Sequence, residues 1–234
     1  MKIEIWSDVV CPFCYIGKKH FEKALEQLSF KDKIKIEWKS FQLDPSLPVA
    51  GLSISTTEYL IKHKGMSAQQ IDGMLEYLKQ KGAEVGIDFR QDISIQANTF
   101  TAHRLIHFVQ SKGKGNEMEE ALFSAHFTEG KNVGDIEVLT ELAGNIGLNK
   151  TEVITFLNSK EKTKEVEKDI QEAQELGIHG VPFFVIDRKY GISGAQPIEI
   201  FIETLKKAYQ ENYPKFEMVE TKDDGICEGD NCKI

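Results

Sequence analysis

Two pairs of cysteines are spaced for disulfide chemistry: Cys11 and Cys14 form a CxxC near the N-terminus, and Cys227 and Cys232 form a CxxxxC near the C-terminus. Exchange proceeds by attack of a thiolate on a disulfide sulfur, so it needs an activated nucleophile and a second thiol close enough to resolve the mixed disulfide. Pro12 follows Cys11, and Phe21, Ala24, Leu25 and Leu28 recur at i, i+3, i+4 and i+7. That spacing predicts an amphipathic helix with Cys11 at its N-cap and Pro12 at its first position. The first-turn N–H groups would then point toward the Cys11 sulfur, and the partial positive end of the helix favours a thiolate there. Cys14 lies one turn along on the same face, placed to resolve. The bland alternative is a zinc site made of all four thiols. A CxxC beside a strand–helix–strand pattern favours redox chemistry over metal.

The elements that must position the pair are readable around it. Residues 2 to 7 alternate as a strand with Ile3 and Ile5 on one face, and Lys33-Ile-Lys-Ile-Glu-Trp-Lys-Ser40 reads as a second. Strand, helix, strand within this span is a βαβ unit, which predicts parallel strands and places the CxxC at the carboxyl end of the first. After a Pro-containing loop from Phe41 to Val49, residues from about 56 to 177 read as helix-length segments broken at Gly65, Gly82–Gly86, Gly113–Gly115, Gly130–Gly134 and Gly147. Strand character returns at 183–187 and 190–193, joined by Arg188-Lys189 as in an antiparallel hairpin. A last helix begins near Pro197 as a first-turn residue and carries Ile198, Phe201, Ile202 and Leu205 up to about Tyr209. The predicted fold is α/β, with a discontinuous sheet domain from 1–50 and 178–210, a helical insertion from 51–177, and an acidic tail from 211–234 expected to be flexible.

The 234 residues are enough for a large core without disulfide staples. A net charge of −8, from 37 acidic against 29 basic residues, disfavours nucleic acid and anionic membranes as partners. The N-terminal residues lack the pattern of a secretory signal, and no apolar run approaches the ~20 residues of a membrane span, so a cytoplasmic location is expected. Cytosolic thiols are kept reduced, which argues against a purely structural disulfide framework. Gly180-Val181-Pro182 precedes the returning strand; taken alone, a proline at a strand's first residue is a plain turn.

Ser7-Asp-Val-Val-Cys-Pro-Phe-Cys-Tyr-Ile-Gly17, Asn98-Thr-Phe-Thr-Ala-His-Arg-Leu-Ile-His107, the stretch from Leu122 to Gly134 and that from Gly180 to Pro197 together resemble the DsbA family of thioredoxin-fold oxidoreductases, most closely its cytosolic FrnE-like branch. The likeness spans residues 1 to about 210. It implies a thioredoxin-like fold with a large helical insertion, Cys11 as nucleophile and Cys14 as resolving cysteine. It further implies that Pro182 is a cis-proline facing the CxxC, with the Val181 backbone pairing with an extended substrate. Substrates would be protein or small-molecule thiols and disulfides. No cofactor beyond the pair's own disulfide is implied, with glutathione or the thioredoxin system as electron partner. Periplasmic members often carry Pro-His between the cysteines; here Phe13 cannot donate a hydrogen bond to the thiolate, which predicts a less oxidising couple.

Cys227 and Cys232 sit among Asp223, Asp224, Glu228 and Asp230, whose charges disfavour thiolates. Some FrnE-like relatives resemble this chain in carrying such a pair. From Tyr213 the chain can reach roughly 45 to 50 Å to Cys227 if extended, so the tail could exchange with Cys11 as an accessory redox pair. His103 and His107 stand at i, i+4 like half of a zinc site but lack a third ligand in a His-Glu-x-x-His arrangement, so a packed helix face is expected and no metal. Two other function classes use the same residues differently. One is a glutathione-dependent isomerase or transferase, whose relatives carry serine at the nucleophile position. The other is a non-enzymatic zinc-binding or chain-holding protein.

Overall fold

The first strand ends where the CxxC helix begins, and the rest of the architecture is arranged around that junction. A computed structural model of the protein describes residues 1–213. The strand β1 (Lys2–Ser7), helix α1 (Pro12–Glu26) and strand β2 (Lys35–Ser40) form the expected βαβ unit, with β1 and β2 parallel and Ile5 opposite Trp38. The returning strands β3 (Phe183–Ile186) and β4 (Tyr190–Ser193) complete a four-stranded sheet of order β2-β1-β3-β4, β3 lying antiparallel to β1 with Phe184 opposite Ile5. The outer edge of β2 is covered by Gln110, whose side chain accepts the Trp38 N–H at 2.7 Å and donates to the Trp38 carbonyl at 3.3 Å. That blocks strand addition at this point.

Between β2 and β3 run α2 (Thr56–Lys64), α3 (Ala68–Glu84), α4 (Phe100–Gln110), α5 (Gly115–Phe127), α6 (Ile136–Asn145), α7 (Lys150–Leu157) and α8 (Thr163–Glu175), and α9 (Ile198–Asn212) follows the sheet. Both α4 and α8 pack directly on β2, so the helices and sheet share a core in which Ile3, Ile5 and Phe184 join Leu105, Leu122 and Phe156. The ring of Phe184 meets Phe21 of α1 at 5.5 Å and Phe201 of α9 at 4.8 Å. Burying each such ring contributes on the order of 2–3 kcal/mol. Trp6 forms a separate cluster with Ala173, Ile178 and Val185. The alternation of β1 is therefore buried on both sides, and Glu4, 1% exposed, is ion-paired with Lys2 and Arg188.

Three local details differ from the sequence reading. Gly82 lies inside α3 instead of ending it, because a Cβ there would come within 2.5 Å of the Phe89 ring: the glycine permits close packing and breaks nothing. The hairpin turns on Asp187 and Arg188, with φ of 47° and 56°, one residue earlier than Arg188-Lys189. Asp187 suits that left-handed position, and its carboxylate also accepts the Lys2 N–H at 2.6 Å. Pro197 is the N-cap of α9, and the helix continues past Tyr209 to Asn212, secured by stacking of Tyr209 on Phe30 at 3.9 Å.

Candidate active site

Cys11 is delivered by the short turn that follows β1. Its N–H donates to the Asp8 carbonyl at 2.9 Å, and its extended backbone (φ −93°, ψ 113°) makes it the N-cap of α1 with Pro12 in the first turn. The missing N–H of proline costs nothing at that place. Cys11 and Cys14 form a dithiol whose side chains touch, and both residues are buried. Unlike the arrangement expected from sequence, no first-turn N–H is bonded to the Cys11 sulfur. A protonated thiol is a donor, and here it donates to the Val181 carbonyl at 3.6 Å. The Val181–Pro182 peptide is cis, and the Pro182 carbonyl accepts the Gly194 N–H at 2.8 Å, which ties the loop to the end of β4. Cys11, Cys14, Val181 and Pro182 thus meet at one place, although they are far apart in the chain.

Burial pushes the Cys14 thiol well above its ordinary range, and the neighbouring Cys11 adds to this; the Asp8 backbone N–H and the Ser7 hydroxyl, which lie against the Cys14 sulfur, act in the opposite sense. Ser7 is itself fully buried, and its hydroxyl has no other hydrogen-bond partner among the described residues. Cys14 is therefore a poor nucleophile until it is deprotonated.

Gly17 is the point of closest approach between α1 and the proline loop. A Cβ there would stand 2.9 Å from Pro182 Cγ, a stiff ring atom. Gly17→Ala would gain up to ~1 kcal/mol of helix propensity but incur roughly 1–3 kcal/mol of overpacking. A net destabilisation of about 1–2 kcal/mol in urea unfolding is expected, together with reduced exchange activity as the loop is pushed off Cys11. Unchanged activity in a stably folded variant would contradict the placement.

A cavity of ≈ 320 Å³ opens beside the Cys11 sulfur, between the CxxC turn and helices α2 and α3, and is lined by Cys11, Leu47, Tyr59, Met74, Leu78 and Val181 among others. Its walls are mostly apolar side chains. The polar groups Asp44, Tyr59 and Lys64 satisfy one another, Tyr59 donating to Asp44 at 2.7 Å and Lys64 pairing with it at 3.3 Å. A second cavity of ≈ 510 Å³ lies against Phe13, His20, Ala195 and Pro197 and does not include either cysteine.

Sequence reasoning missed the buried polar residues behind the pair. Asp8, 1% exposed, accepts the Leu43 N–H at 2.8 Å and faces His103 Nε2 at 3.3 Å. The signal for it was Ser7-Asp8, two residues ahead of the CxxC, together with the 98–107 segment that supplies His103. His107 reaches Asp169 instead, at 2.9 Å. The two histidines thus serve separate carboxylates, and among the described residues no group of three or more His, Cys, Asp or Glu could hold a metal ion.

Glu119 and His126 are fully buried on α5, and burial drives them in opposite directions: the Glu119 carboxyl is pushed up to about 7 and the His126 imidazolium down to about 4. Linkage makes these opposite slopes. Stability tied to protonated Glu119 is present below pH ~4.5 and is lost as pH rises through about 7. Stability tied to neutral His126 is present above pH ~6.5 and is lost as pH falls through about 4. Each term is on the order of 3 kcal/mol, so they largely offset between pH 4.5 and 6.5. Glu119→Gln is expected to expose the His126 slope, with unfolding free energy rising with pH across that window. A flat profile in the variant would show that His126 is not held neutral.

Cys227 and Cys232 lie outside the described residues. Among those described, no helix is long and apolar enough to cross a membrane. Residues 2–209 match the family described as DSBA-like thioredoxin domain. The chain is 31% identical over 206 residues to the uncharacterised protein YwbO of Bacillus subtilis, covering 87% of this chain and 94% of that one. A crystal structure of a probable DsbA oxidoreductase from Streptomyces coelicolor is 36% identical, with a TM-score of 0.84 over 100% of this chain and 99% of that one. The cytosolic disulfide reductase DsbM of Pseudomonas aeruginosa shares the fold at 15% identity, with a TM-score of 0.64 over 90% of this chain and 100% of that one.

Proposed function

Because this chain belongs to the DSBA-like thioredoxin family, we propose that it is a thiol–disulfide oxidoreductase in which Cys11 attacks and Cys14 resolves. The observation that carries this reading is the contact of the Cys11 sulfur, at a helix N-cap, with the Val181 carbonyl at 3.6 Å. It sets the reactive atom beside backbone that an extended substrate can pair with. The Cys11 thiolate attacks a substrate disulfide, forming a mixed disulfide and releasing one substrate thiolate. Cys14, once deprotonated, attacks the Cys11 sulfur, releasing the second substrate thiol and leaving a Cys11–Cys14 disulfide. Two glutathiones, or the thioredoxin system, return the pair to the dithiol. All steps are reversible, and the direction follows the potential of the couple relative to the surrounding pool.

The pair is its own redox group and requires no other cofactor. A cytoplasmic location suits a couple that glutathione keeps reduced, and the FrnE-like motifs around Cys11 and at 98–107 support the same reading. Substrates are peptide or small-molecule disulfides, with the cavity beside Cys11 available to an apolar group next to the reacting sulfur. The C-terminal Cys227 and Cys232 act as an accessory pair that draws electrons from, or returns them to, Cys11 and Cys14.

The test is to equilibrate the protein in glutathione redox buffers, trap the thiols by alkylation to obtain the Cys11–Cys14 potential, and assay reduction of a peptide disulfide. Catalytic turnover that disappears with Cys11→Ser is the expected result. A glutathione-dependent isomerase activity that survives Cys11→Ser would replace this reading with the isomerase alternative.

A further inference from the structure

The segment Asn98 to His107 has no part in the exchange steps above, yet one of its side chains reaches the cysteine pair through a single intermediary. His103, on α4, is 1% exposed and places Nε2 3.3 Å from Asp8 Oδ1. The other carboxylate oxygen of Asp8 accepts the Leu43 N–H at 2.8 Å, from the loop leaving β2. Held at both oxygens, Asp8 presents its backbone to both cysteines, through the two peptide groups that flank its Cα. Its carbonyl accepts the Cys11 N–H at 2.9 Å, and its N–H lies against the Cys14 sulfur beside the Ser7 hydroxyl. No other residue described above touches both cysteines by its backbone while its side chain is anchored on two different elements.

We propose that His103 is a positioning residue for the redox pair: acting through Asp8, it holds the backbone that contacts Cys11 and Cys14 and so sets the balance between dithiol and disulfide. The inference rests on the pair being redox-active, as proposed above. The groups that face the ring are acceptors or acids: the Asp8 carboxylate, the Phe41 backbone and, from α5, Glu119. A ring facing acceptors is best satisfied as a donor, as the imidazolium. Burial is the largest single influence and opposes the charge, but the hydrogen bond to Asp8 and its charge, together with Glu119 and the Phe41 backbone, outweigh it and the His103 pKa is raised. Protonated, His103 gives the Asp8 carboxylate a charge-assisted hydrogen bond. Without that partner Asp8 keeps one carboxylate anchor instead of two, its backbone N–H is held less firmly against the Cys14 sulfur, and the thiolate, with it the reduced state, loses support.

The experiment measures the Cys11–Cys14 equilibrium against glutathione, in which two glutathiones supply two electrons and two protons and leave as one glutathione disulfide. It needs no turnover, so it remains readable even if the protein proves inactive on peptide disulfides. His103→Gln is expected to move the equilibrium toward the disulfide by about tenfold, equivalent to about 30 mV for a two-electron couple. In an Asp8→Asn background the same substitution is expected to change it by less than about twofold, because the intermediary has lost its charge. An unchanged equilibrium in folded His103→Gln would overturn the proposal. So would an equal shift in both backgrounds, which would show that His103 does not act through Asp8. Should His103→Gln fail to fold, the wild-type protein provides the reciprocal reading, since two coupled sites must each affect the other. The imidazole resonances of His103 are expected to titrate at different pH in the dithiol and disulfide forms, and identical titrations would equally sink the proposal.

Discussion

Cys11→Ser is expected to reduce disulfide exchange by roughly a thousandfold or more, because a serine hydroxyl is neither ionised at neutral pH nor able to form the mixed disulfide. Cys14→Ser is expected to behave differently. Cys11 retains its N-cap position and its contact with Val181, so the first attack survives while resolution fails, and a mixed disulfide accumulates. In chains whose Cys227 and Cys232 are also replaced by serine, burst kinetics with a chromogenic disulfide, followed by intact-mass analysis, separate the two: no adduct for the first variant, one stable adduct per chain for the second. An adduct on Cys11→Ser, or full turnover by Cys14→Ser, would reverse the assignment of nucleophile and resolver. With Cys227 and Cys232 retained, the trapped species also identifies the accessory exchange. A Cys11–Cys227 or Cys11–Cys232 crosslink in Cys14→Ser is expected if the tail pair exchanges with the active site. Its absence, with unchanged turnover after removal of residues 220–234, would eliminate that role. Neither serine variant should lose much stability, since a hydroxyl at position 11 can bond the Val181 carbonyl and one at position 14 the Asp8 N–H and the Ser7 hydroxyl.

The strand, the CxxC and the helix after it were legible because each obeys a short-range rule. The apolar stripe of α1 repeats within two turns, proline marks its first position, and β1 alternates before it. The parallel pairing of β1 and β2 then follows from the connection between them. What sequence could not show is polar pairing over long separations. Glu4 looks like a solvent-facing strand residue until Arg188 closes on it across 184 positions, and Asp8 looks like a turn residue until His103 arrives across 95. The structure thus has a buried polar network where the sequence assigned no role to Glu4 or Asp8. The glycines mark the same boundary between local and distant causes. Gly65 ends α2 by its own left-handed backbone, whereas Gly82 is required by a ring seven residues on that packs back against α3. His103 and His107 share a helix face as their spacing predicts, but only the fold reveals that they serve different carboxylates.

The largest loss of stability is expected from Asp169→Ala. This carboxylate, on α8, accepts the Lys39 ammonium at 2.7 Å, His107 Nε2 at 2.9 Å and the Ser40 N–H at 3.0 Å, and the backbone carbonyl of the same residue accepts the Trp6 indole N–H at 3.0 Å. One residue thus joins α8 to α4, to β2 and to β1. Removing one partner of a buried ion pair costs about 3–5 kcal/mol when the remaining charge has nowhere to go. Lys39 keeps Glu172 at 3.2 Å and Glu37 at 3.4 Å, so roughly 2–4 kcal/mol is expected in urea unfolding at neutral pH. Burial alone would raise the Asp169 carboxyl, yet the bonds from His107, Lys39 and Ser40 hold it below its ordinary value. Its contribution is accordingly present above the ordinary aspartate range and is lost as pH falls through the lowered folded value. Asp169→Asn should remove that acid-sensitive part while keeping the bond to Ser40, and should cost less than the alanine. Combining Asp169→Asn with Lys39→Met tests the pairing itself. Because the second change removes the stranded ammonium, the double variant is expected to be less destabilised than the sum of the single variants by about 1–3 kcal/mol. Strict additivity would mean that Lys39 is satisfied by Glu172 and Glu37 alone and that the Asp169 carboxylate stabilises the fold through His107 and Ser40.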